Sequence, residues 1–208
     1  GKFSEEFTSL INPRIPIPKN IIALTGITNN MVEDAPIISD ILPNILAFIG
    51  TTPLVGHNID FDYTFIRKNF ESTDLTMPES PLYDTLSLAR SFIYFYNSFS
   101  LGSLCDYYGI KIENAHRAGA DALCTGELFL YLIQEALSRP LSLIQRIENL
   151  FRYTTVNNSE LFTNILKVSI QLNTIDGLMS SPINYKLPDN SFEYNNSGKT
   201  DMPDSPDE

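Results

Sequence analysis

The stretch VGHNIDFD (residues 55–62) decides how this chain folds. Before it, the apolar segment 51–55 predicts a short strand, and after it residues 59–70 carry apolar side chains at helical spacing. A strand that enters a helix through a polar turn is the repeating unit of α/β domains, and carboxylates at such turns are typical of their sites. Asp62 is therefore a candidate metal ligand. Asp60 is the alternative, although on a helix it lies about 200° away from Asp62.

Two further stretches also place an acidic residue at or near the start of a predicted helix. LYD at 82–84 predicts a strand followed by a helix over 85–95, and HRAGAD at 116–121 opens a predicted helix over 117–137. Strands that alternate with helices predict an α/β layered domain. The other expected elements are a strand over 3–11, an extended connector over 13–19, and helices over 36–49, 100–108, 141–151 and 159–172.

His116 and Asp121 form the candidate catalytic pair. Five residues on an α-helix rotate the side chain by about 500°, which leaves the two side chains about 140° apart. They converge only if His116 lies in the loop before the helix, an arrangement that suits a general base beside a fixed metal ligand. On its own, His116 could equally be a capping or core residue. Hard carboxylate oxygens select Mg²⁺ or Mn²⁺, and two such ions about 4 Å apart hydrolyse phosphodiesters.

Structural roles compete with chemical ones at several positions. His57 either orients its loop through hydrogen bonds or binds metal. Asn58 is predicted to cap the helix that follows it, and Asp84 to cap the helix after the second strand rather than to bind metal. The aromatic clusters at 61–70 and 92–99 are predicted to lie mostly in the core, with one or two rings free to stack on bases.

Composition limits the class of protein. The chain has 208 residues, of which 43% are hydrophobic, and a net charge of −11. That length fits one domain, or one domain with an appendage, and the charge argues against a broad electrostatic grip on duplex nucleic acid. Two cysteines exclude a disulfide scaffold. The apolar runs are too short to span a membrane and no apolar leader opens the chain, so we expect a cytoplasmic protein.

The chain is expected to divide into three parts. Residues 1–138 carry the alternating strands and helices, and 139–185 form a helical extension or linker. Residues 186–208 are rich in Asn, Ser, Pro and Asp and have almost no aliphatic side chains. Such a segment cannot offset its ordering entropy by burial, so we expect a disordered acidic tail.

Six short strings in this sequence together resemble the DEDDh (DnaQ-like) 3′–5′ exonuclease family. That family includes the proofreading epsilon subunit of bacterial DNA polymerase III and the exonuclease modules of helicase fusions. Each string is weak alone, but all six occur in the family's order over roughly residues 1–135. They are LINP at 10–13, LTGIT at 24–28, HNxxFD at 57–62, DTLxLAR at 84–90, LxxL at 101–104 before YGI at 108–110, and HRAxADA at 116–122.

The resemblance implies a fold, a reaction and a set of site residues. The fold would be an RNase H-like mixed sheet flanked by helices. The substrate would be a single-stranded DNA 3′ end, cleaved with two Mg²⁺ or Mn²⁺ ions in DNA replication or repair, in association with a polymerase or helicase module. Asp62 and Asp121 would be metal ligands, and His116 the general base. Leu24, Thr25, Gly26 and Phe61 would line the terminal nucleotide, with His57, Asn58 and Asp84 as structural residues near the site.

The sequence departs from the family in its first motif. That motif is a strand with Asp-x-Glu, and no Asp-x-Glu occurs in these 208 residues. We therefore expect a domain that lacks its first strand, a fragment with two of the four acidic ligands that is weakly active or inactive by itself. The alternatives are a non-catalytic interaction module with an exonuclease fold, or the exonuclease part of a larger helicase.

Overall fold

A computed structural model describes residues 5–93, 96–111, 117–154 and 156–178. From residue 38 onward its helices and strands follow the alternation that the sequence predicts, and three predicted ranges, 59–70, 82–84 and 141–151, are reproduced to the residue. The two short helices over 19–25 and 29–32 are not among the predicted elements. The elements are α1 (Lys19–Thr25), α2 (Asn29–Val32), α3 (Ile38–Ile49), β1 (Leu54–Gly56), α4 (Ile59–Phe70), β2 (Leu82–Asp84), α5 (Thr85–Phe92), α6 (Leu101–Tyr108), α7 (Ala118–Leu137), α8 (Leu141–Phe151) and α9 (Ser159–Leu178).

Strands β1 and β2 pair in parallel, and this pairing positions the candidate site. Leu54 lies opposite Leu82, and Gly56 lies opposite Asp84. Helix α4 is the crossover between them, as parallel pairing requires. Because the carboxyl ends of parallel strands meet at one edge, the turn after Gly56 lies beside the start of α5. The α/β class expected from the sequence is confirmed.

The strand predicted over 3–11 is not formed in the described residues 5–11. This segment is held instead at its end, where the Asn12 N–H donates to the Pro36 carbonyl over 2.9 Å. The Asn12 side chain also donates to the Glu33 carbonyl over 2.8 Å. Extended backbone becomes a strand only when a neighbouring ladder accepts its hydrogen bonds, and the described part of the chain offers none to 5–11.

Three helix predictions need correction at their ends or interior. Helix α3 begins at Ile38 rather than at 36, and it continues through Pro43. Helix α5 ends at Phe92 rather than at 95, and α9 continues to Leu178 rather than stopping at 172. The predicted acidic tail, 186–208, lies outside the described residues.

The core lies where α5, α6 and α7 meet, and α8 and α9 contribute to it. Leu88 and Leu128 are fully buried in one cluster with Ile144 of α8 and Phe162 of α9. The Phe162 ring also packs 6.1 Å from the ring of Phe92, measured between centroids. The helices after residue 140 therefore share the apolar core with the helices that carry the site. None of the described helices is long and apolar enough to cross a membrane.

Two leucine substitutions test the position of this core. Leu128→Ala removes a side chain that is 0% exposed, and Leu150→Ala removes one that is 75% exposed. We expect Leu128→Ala to lower the free energy of unfolding by about 2–5 kcal/mol, because it leaves a cavity. The matched change at Leu150 should cost less than about 0.5 kcal/mol. Urea denaturation measures both, and equal losses would contradict this placement of the core.

Candidate active site

His57 ties the end of β1 to two other segments. Its Nδ1 lies 2.9 Å from the Thr85 hydroxyl, and its Nε2 lies 2.8 Å from the Phe99 carbonyl oxygen. Because a carbonyl can only accept, Nε2 carries the hydrogen. Burial lowers the pKa of His57, which favours the neutral ring. Both ring nitrogens are therefore engaged by protein groups, and in this geometry the ring orients its loop.

Asp84 ends β2 and connects it to two backbone amides. Its Oδ1 accepts from the Asn58 N–H over 2.8 Å and from the Leu86 N–H over 3.1 Å. The Leu86 bond places Asp84 as the N-cap of α5. The residue is buried, and its carboxylate is hydrogen bonded to these two backbone amides of the protein. This arrangement is that of a structural cap.

Asn58 occupies the N-cap position of α4, but its side chain makes no cap hydrogen bond. This corrects the sequence prediction of a side-chain cap. Its backbone is left-handed, with φ 65°, whereas a side-chain cap requires extended backbone at that position. The turn before it is also tight, since a Cβ on Gly56 would lie 2.8 Å from the Ile59 Cβ. A glycine at 56 therefore lets β1 turn directly into α4.

Asp62 and Asp121 line the same cavity. Asp62 stands in the first turn of α4 and Asp121 in the first turn of α7. Together with His57 and Thr125 they line a space of about 540 Å³ between β1, α4 and α7. Burial raises the pKa of the Asp62 carboxyl. A cation beside that carboxylate would offset the burial by stabilising its charged form.

Asp60, the alternative ligand, does not line this cavity. Its Oδ1 accepts from the Asn157 side chain over 3.0 Å. The structure thus separates the two carboxylates of the HNIDFD stretch, because Asp62 lines the cavity together with Asp121 and Asp60 does not.

His116 lies outside the described residues, and so does its geometry relative to Asp121. Helix α7 is described from its N-cap, Arg117, onward. The Asp121 N–H donates to the Arg117 carbonyl over 2.9 Å, which places Asp121 in the helical register of the first turn. The Asp121 carbonyl in turn accepts from the Thr125 hydroxyl.

The predicted nucleotide-lining segment ends at Gly26, near the tip of the Arg117 side chain. Gly26 ends α1 in a left-handed conformation, with φ 69°, and a Cβ there would lie 3.9 Å from Arg117 Nη2. Leu24 is exposed. The Thr25 hydroxyl donates to the Ile21 carbonyl and accepts from the Ile27 N–H, so its bonds are local.

Phe61 and Phe65 are not core residues, which corrects part of the prediction for the aromatic cluster at 61–70. Their exposed fractions are 73% and 59%, whereas Ile59 and Phe70 are buried. The buried side of α4 is thus set by Ile59 and Phe70. The two rings lie on exposed turns of the helix that carries Asp62.

The described carboxylates match part of a divalent-ion ligand set. Asp62 and Asp121 supply the hard oxygen atoms that Mg²⁺ and Mn²⁺ prefer. Among the described residues, however, no group of three His, Cys, Asp or Glu side chains could hold a metal ion. These two residues therefore fit as ligands but do not complete a site.

Asn158 belongs to the neighbourhood of the site, although its sequence position does not predict this. It is almost completely buried and hydrogen bonded to Asp84, across 74 positions of the chain. Its sequence signal is the pair of asparagines directly before the predicted helix at 159, a pattern that marks a helix start. That pattern says nothing about a partner so far away.

Comparisons with known proteins give one family match and several relatives. Residues 2–129, more than half of the chain, match the RNase_T family, which is described as "Exonuclease". The DNA polymerase III PolC-type of Caldanaerobacter subterraneus is 37% identical over 134 residues, which are 64% of this chain and 10% of that protein. The PolC-type polymerase of Oceanobacillus iheyensis is 35% identical over 142 residues, 68% of this chain and 10% of that protein.

This chain therefore spans about a tenth of the length of these curated relatives. Among solved structures, Exonuclease X in complex with 5′ overhanging duplex DNA matches with a TM-score of 0.48 and 26% identity. That match covers 60% of this chain and 70% of the other. On the strength of the family match, the chain belongs to the DnaQ-like 3′–5′ exonuclease family.

Proposed function

We propose that this chain carries the greater part of a metal-dependent 3′–5′ exonuclease site that removes nucleotides from single-stranded DNA. The observation that carries the proposal is the convergence of Asp62 and Asp121, from two different helices, on one cavity. DNA is the proposed substrate because the curated relatives are DNA polymerases. The reaction is hydrolysis of the terminal phosphodiester with release of a nucleoside 5′-monophosphate.

Asp62 and Asp121 are the residues that would hold Mg²⁺ or Mn²⁺. When bound, such an ion polarises the phosphate and lowers the pKa of a nearby water molecule. The position of Asp62 supports this role, because it lines the cavity together with Asp121 and a cation there would stabilise its charged form.

His116 is the proposed general base. It precedes Asp121 by five residues and would accept a proton at a ring nitrogen from the attacking water. His57 is unsuited to that task, since both of its ring nitrogens are hydrogen bonded to the protein. The chain's other histidine is thus the better candidate.

Leu24, Thr25, Gly26 and Phe61 are proposed to hold the terminal nucleotide. Of the first three, Gly26 lies closest to the Arg117 side chain, since a Cβ there would be 3.9 Å from Arg117 Nη2. Phe61 offers an exposed ring directly before Asp62. Exposed aromatic rings stack on bases with little sequence preference, which suits an enzyme that shortens any 3′ end.

The whole arrangement is proposed to comprise an exonuclease part (1–138), a helical extension (139–185) and an acidic tail (186–208). Its proposed partner is a polymerase or helicase module. A net charge of −11 leaves no broad basic groove for DNA, so affinity would depend on phosphate contacts made through metal and on a few base contacts.

A second candidate function is a non-catalytic interaction module with an exonuclease fold. It differs from the enzyme in the acidic motif Asp-x-Glu, which an active site would need and a non-catalytic module would not. The two candidates differ in the DNA encoding the residues ahead of Gly1. If that DNA encodes, in the same reading frame, a strand with Asp-x-Glu, the enzyme is favoured. If it does not, the module is favoured.

The first prediction compares this chain with an extended form that carries an upstream Asp-x-Glu strand. We expect the extended form to release nucleoside 5′-monophosphates from single-stranded DNA in Mg²⁺. The 208-residue chain should be at least about 100-fold slower, because lost ligands cost more than the 10–100-fold typical of their supporting contacts. Product chromatography measures both. Equal rates would contradict the proposed ligand shortage, and no release by either form would contradict the enzymatic function.

The second prediction separates the two carboxylates of the HNIDFD stretch in the extended form. Asp62→Asn should reduce the rate at least about 100-fold, since it removes a charged ligand. Asp60→Asn should change the rate less than about threefold, because this exposed side chain does not line the cavity. A larger loss at Asp60 than at Asp62 would reverse the assignment.

The third prediction concerns DNA binding without metal. Because the chain is acidic, we expect a single-stranded oligonucleotide to lose most of its affinity when EDTA replaces Mg²⁺ at physiological salt. Fluorescence anisotropy measures the change. Tight binding of the oligonucleotide that persists in EDTA would contradict metal-dependent DNA binding.

A further inference from the structure

The loop between α8 and α9 reaches the candidate site from outside the matched family region. The family match ends at residue 129, and this loop lies at 152–158. Its last residue, Asn158, is 2% exposed and adopts a left-handed backbone with φ 72°. A buried asparagine is costly unless its amide is fully hydrogen bonded. Its partners therefore show what the loop does.

Asn158 bonds to the edge of β2 that faces away from β1. Its backbone N–H donates to the Leu82 carbonyl over 3.1 Å. Its side-chain Oδ1 accepts from the Asp84 N–H over 2.8 Å, and its Nδ2 donates to the Asp84 carbonyl over 3.0 Å. Residues two apart on a strand present their hydrogen-bonding groups to the same edge, so Asn158 takes the place of a neighbouring strand.

The same side chain also fixes the start of α5. Its Nδ2 lies 2.6 Å from the Ser87 hydroxyl, which itself donates to the Asp84 carbonyl over 3.1 Å. The side-chain amide of Asn158 therefore bonds both the N–H and the carbonyl of Asp84. The Asp84 carboxylate, on the same residue, holds the Asn58 and Leu86 amides.

We infer that Asn158 is a positioning residue for the proposed exonuclease site. It fixes Asp84, Asp84 fixes the left-handed Asn58 at the start of α4, and α4 presents Asp62 in its first turn. The inference rests on the proposed function for its catalytic consequence. It assigns the helical extension a task, which is to complete the edge of β2 and set the direction of the helix that carries Asp62.

The strongest alternative is that Asn158 merely stabilises the fold. It starts α9, since its carbonyl accepts from the N–H of the buried Phe162 over 2.9 Å. A purely structural role would affect the core and the site equally. A positioning role should loosen the Asp84 region first and leave the remote core intact.

The test uses Asn158→Gly, because glycine adopts the left-handed backbone without strain and removes only the side chain. Two controls accompany it. Ile144→Ala weakens the shared core without touching β2, and Asn157→Ala removes the neighbouring amide, whose partner is Asp60. All three changes are made in the 208-residue chain, and amide hydrogen exchange is followed by NMR.

In Asn158→Gly we expect the Asn58 and Leu86 amides to exchange at least about tenfold faster than in the unchanged chain. Neither amide bonds to Asn158 itself, so their acceleration reports on Asp84. Amides of α6 should keep most of their protection. Asn157→Ala should leave Asn58 and Leu86 protected, whereas Ile144→Ala should accelerate all amides together. An Asn158→Gly pattern that matches Ile144→Ala would overturn the inference.

A second measurement uses the extended form with the upstream Asp-x-Glu strand. We expect Asn158→Gly to raise the Mn²⁺ concentration needed for half-maximal activity by about 10–100-fold, as for other supporting contacts of metal ligands. Ile144→Ala should leave it unchanged. An unchanged Mn²⁺ requirement in Asn158→Gly would overturn the inference. If the extended form is inactive without any substitution, the proposed function fails, and the exchange pattern alone decides whether Asn158 holds Asp84.

Discussion

The hydrogen bonds that converge on Asp84 hold the candidate site together. Three segments far apart in sequence meet there: the turn after β1, the start of α5 and the loop before α9. Each bond involves a buried or half-buried group, and leaving such a group without its partner costs about 1–3 kcal/mol. The direction of α4, and with it the position of Asp62, depends on this junction.

The parallel pairing of β1 with β2 explains why polar residues from separate stretches become neighbours. Both strands end at the same edge, so His57 reaches Thr85 and Asn58 reaches Asp84. Helix α7 then brings Asp121 to the cavity beneath this edge. The interior of that cavity is partly apolar, and burial makes the charged Asp62 carboxylate less favourable there. Such a carboxylate is suited to receive a cation.

The local sequence pattern predicts most of this fold and two of the carboxylates that line the candidate cavity. Helical spacing locates α4 and α8 to the residue, because a helix is defined by contacts a few positions apart. The range of β2 is predicted from the turn that follows it, although its pairing with β1 is not local. The strand over 3–11 fails because pairing depends on a distant neighbour. The side-chain cap at Asn58 fails because the tight turn after β1, which has room only for a glycine at 56, leaves Asn58 left-handed. The role of Asn158 is not predicted, because its side-chain partners lie more than 70 residues away in the sequence.

The central proposal is that Asp62 and Asp121 are both ligands of a divalent cation, and paramagnetic NMR tests it most directly. Mn²⁺ added to the isotopically labelled chain broadens the signals of amides near the ion. Broadening should begin at the amides around residues 62 and 121, and Asp62→Asn should abolish it there. Broadening that spreads evenly over the exposed acidic residues, or that persists at 121 in Asp62→Asn, would contradict the claim.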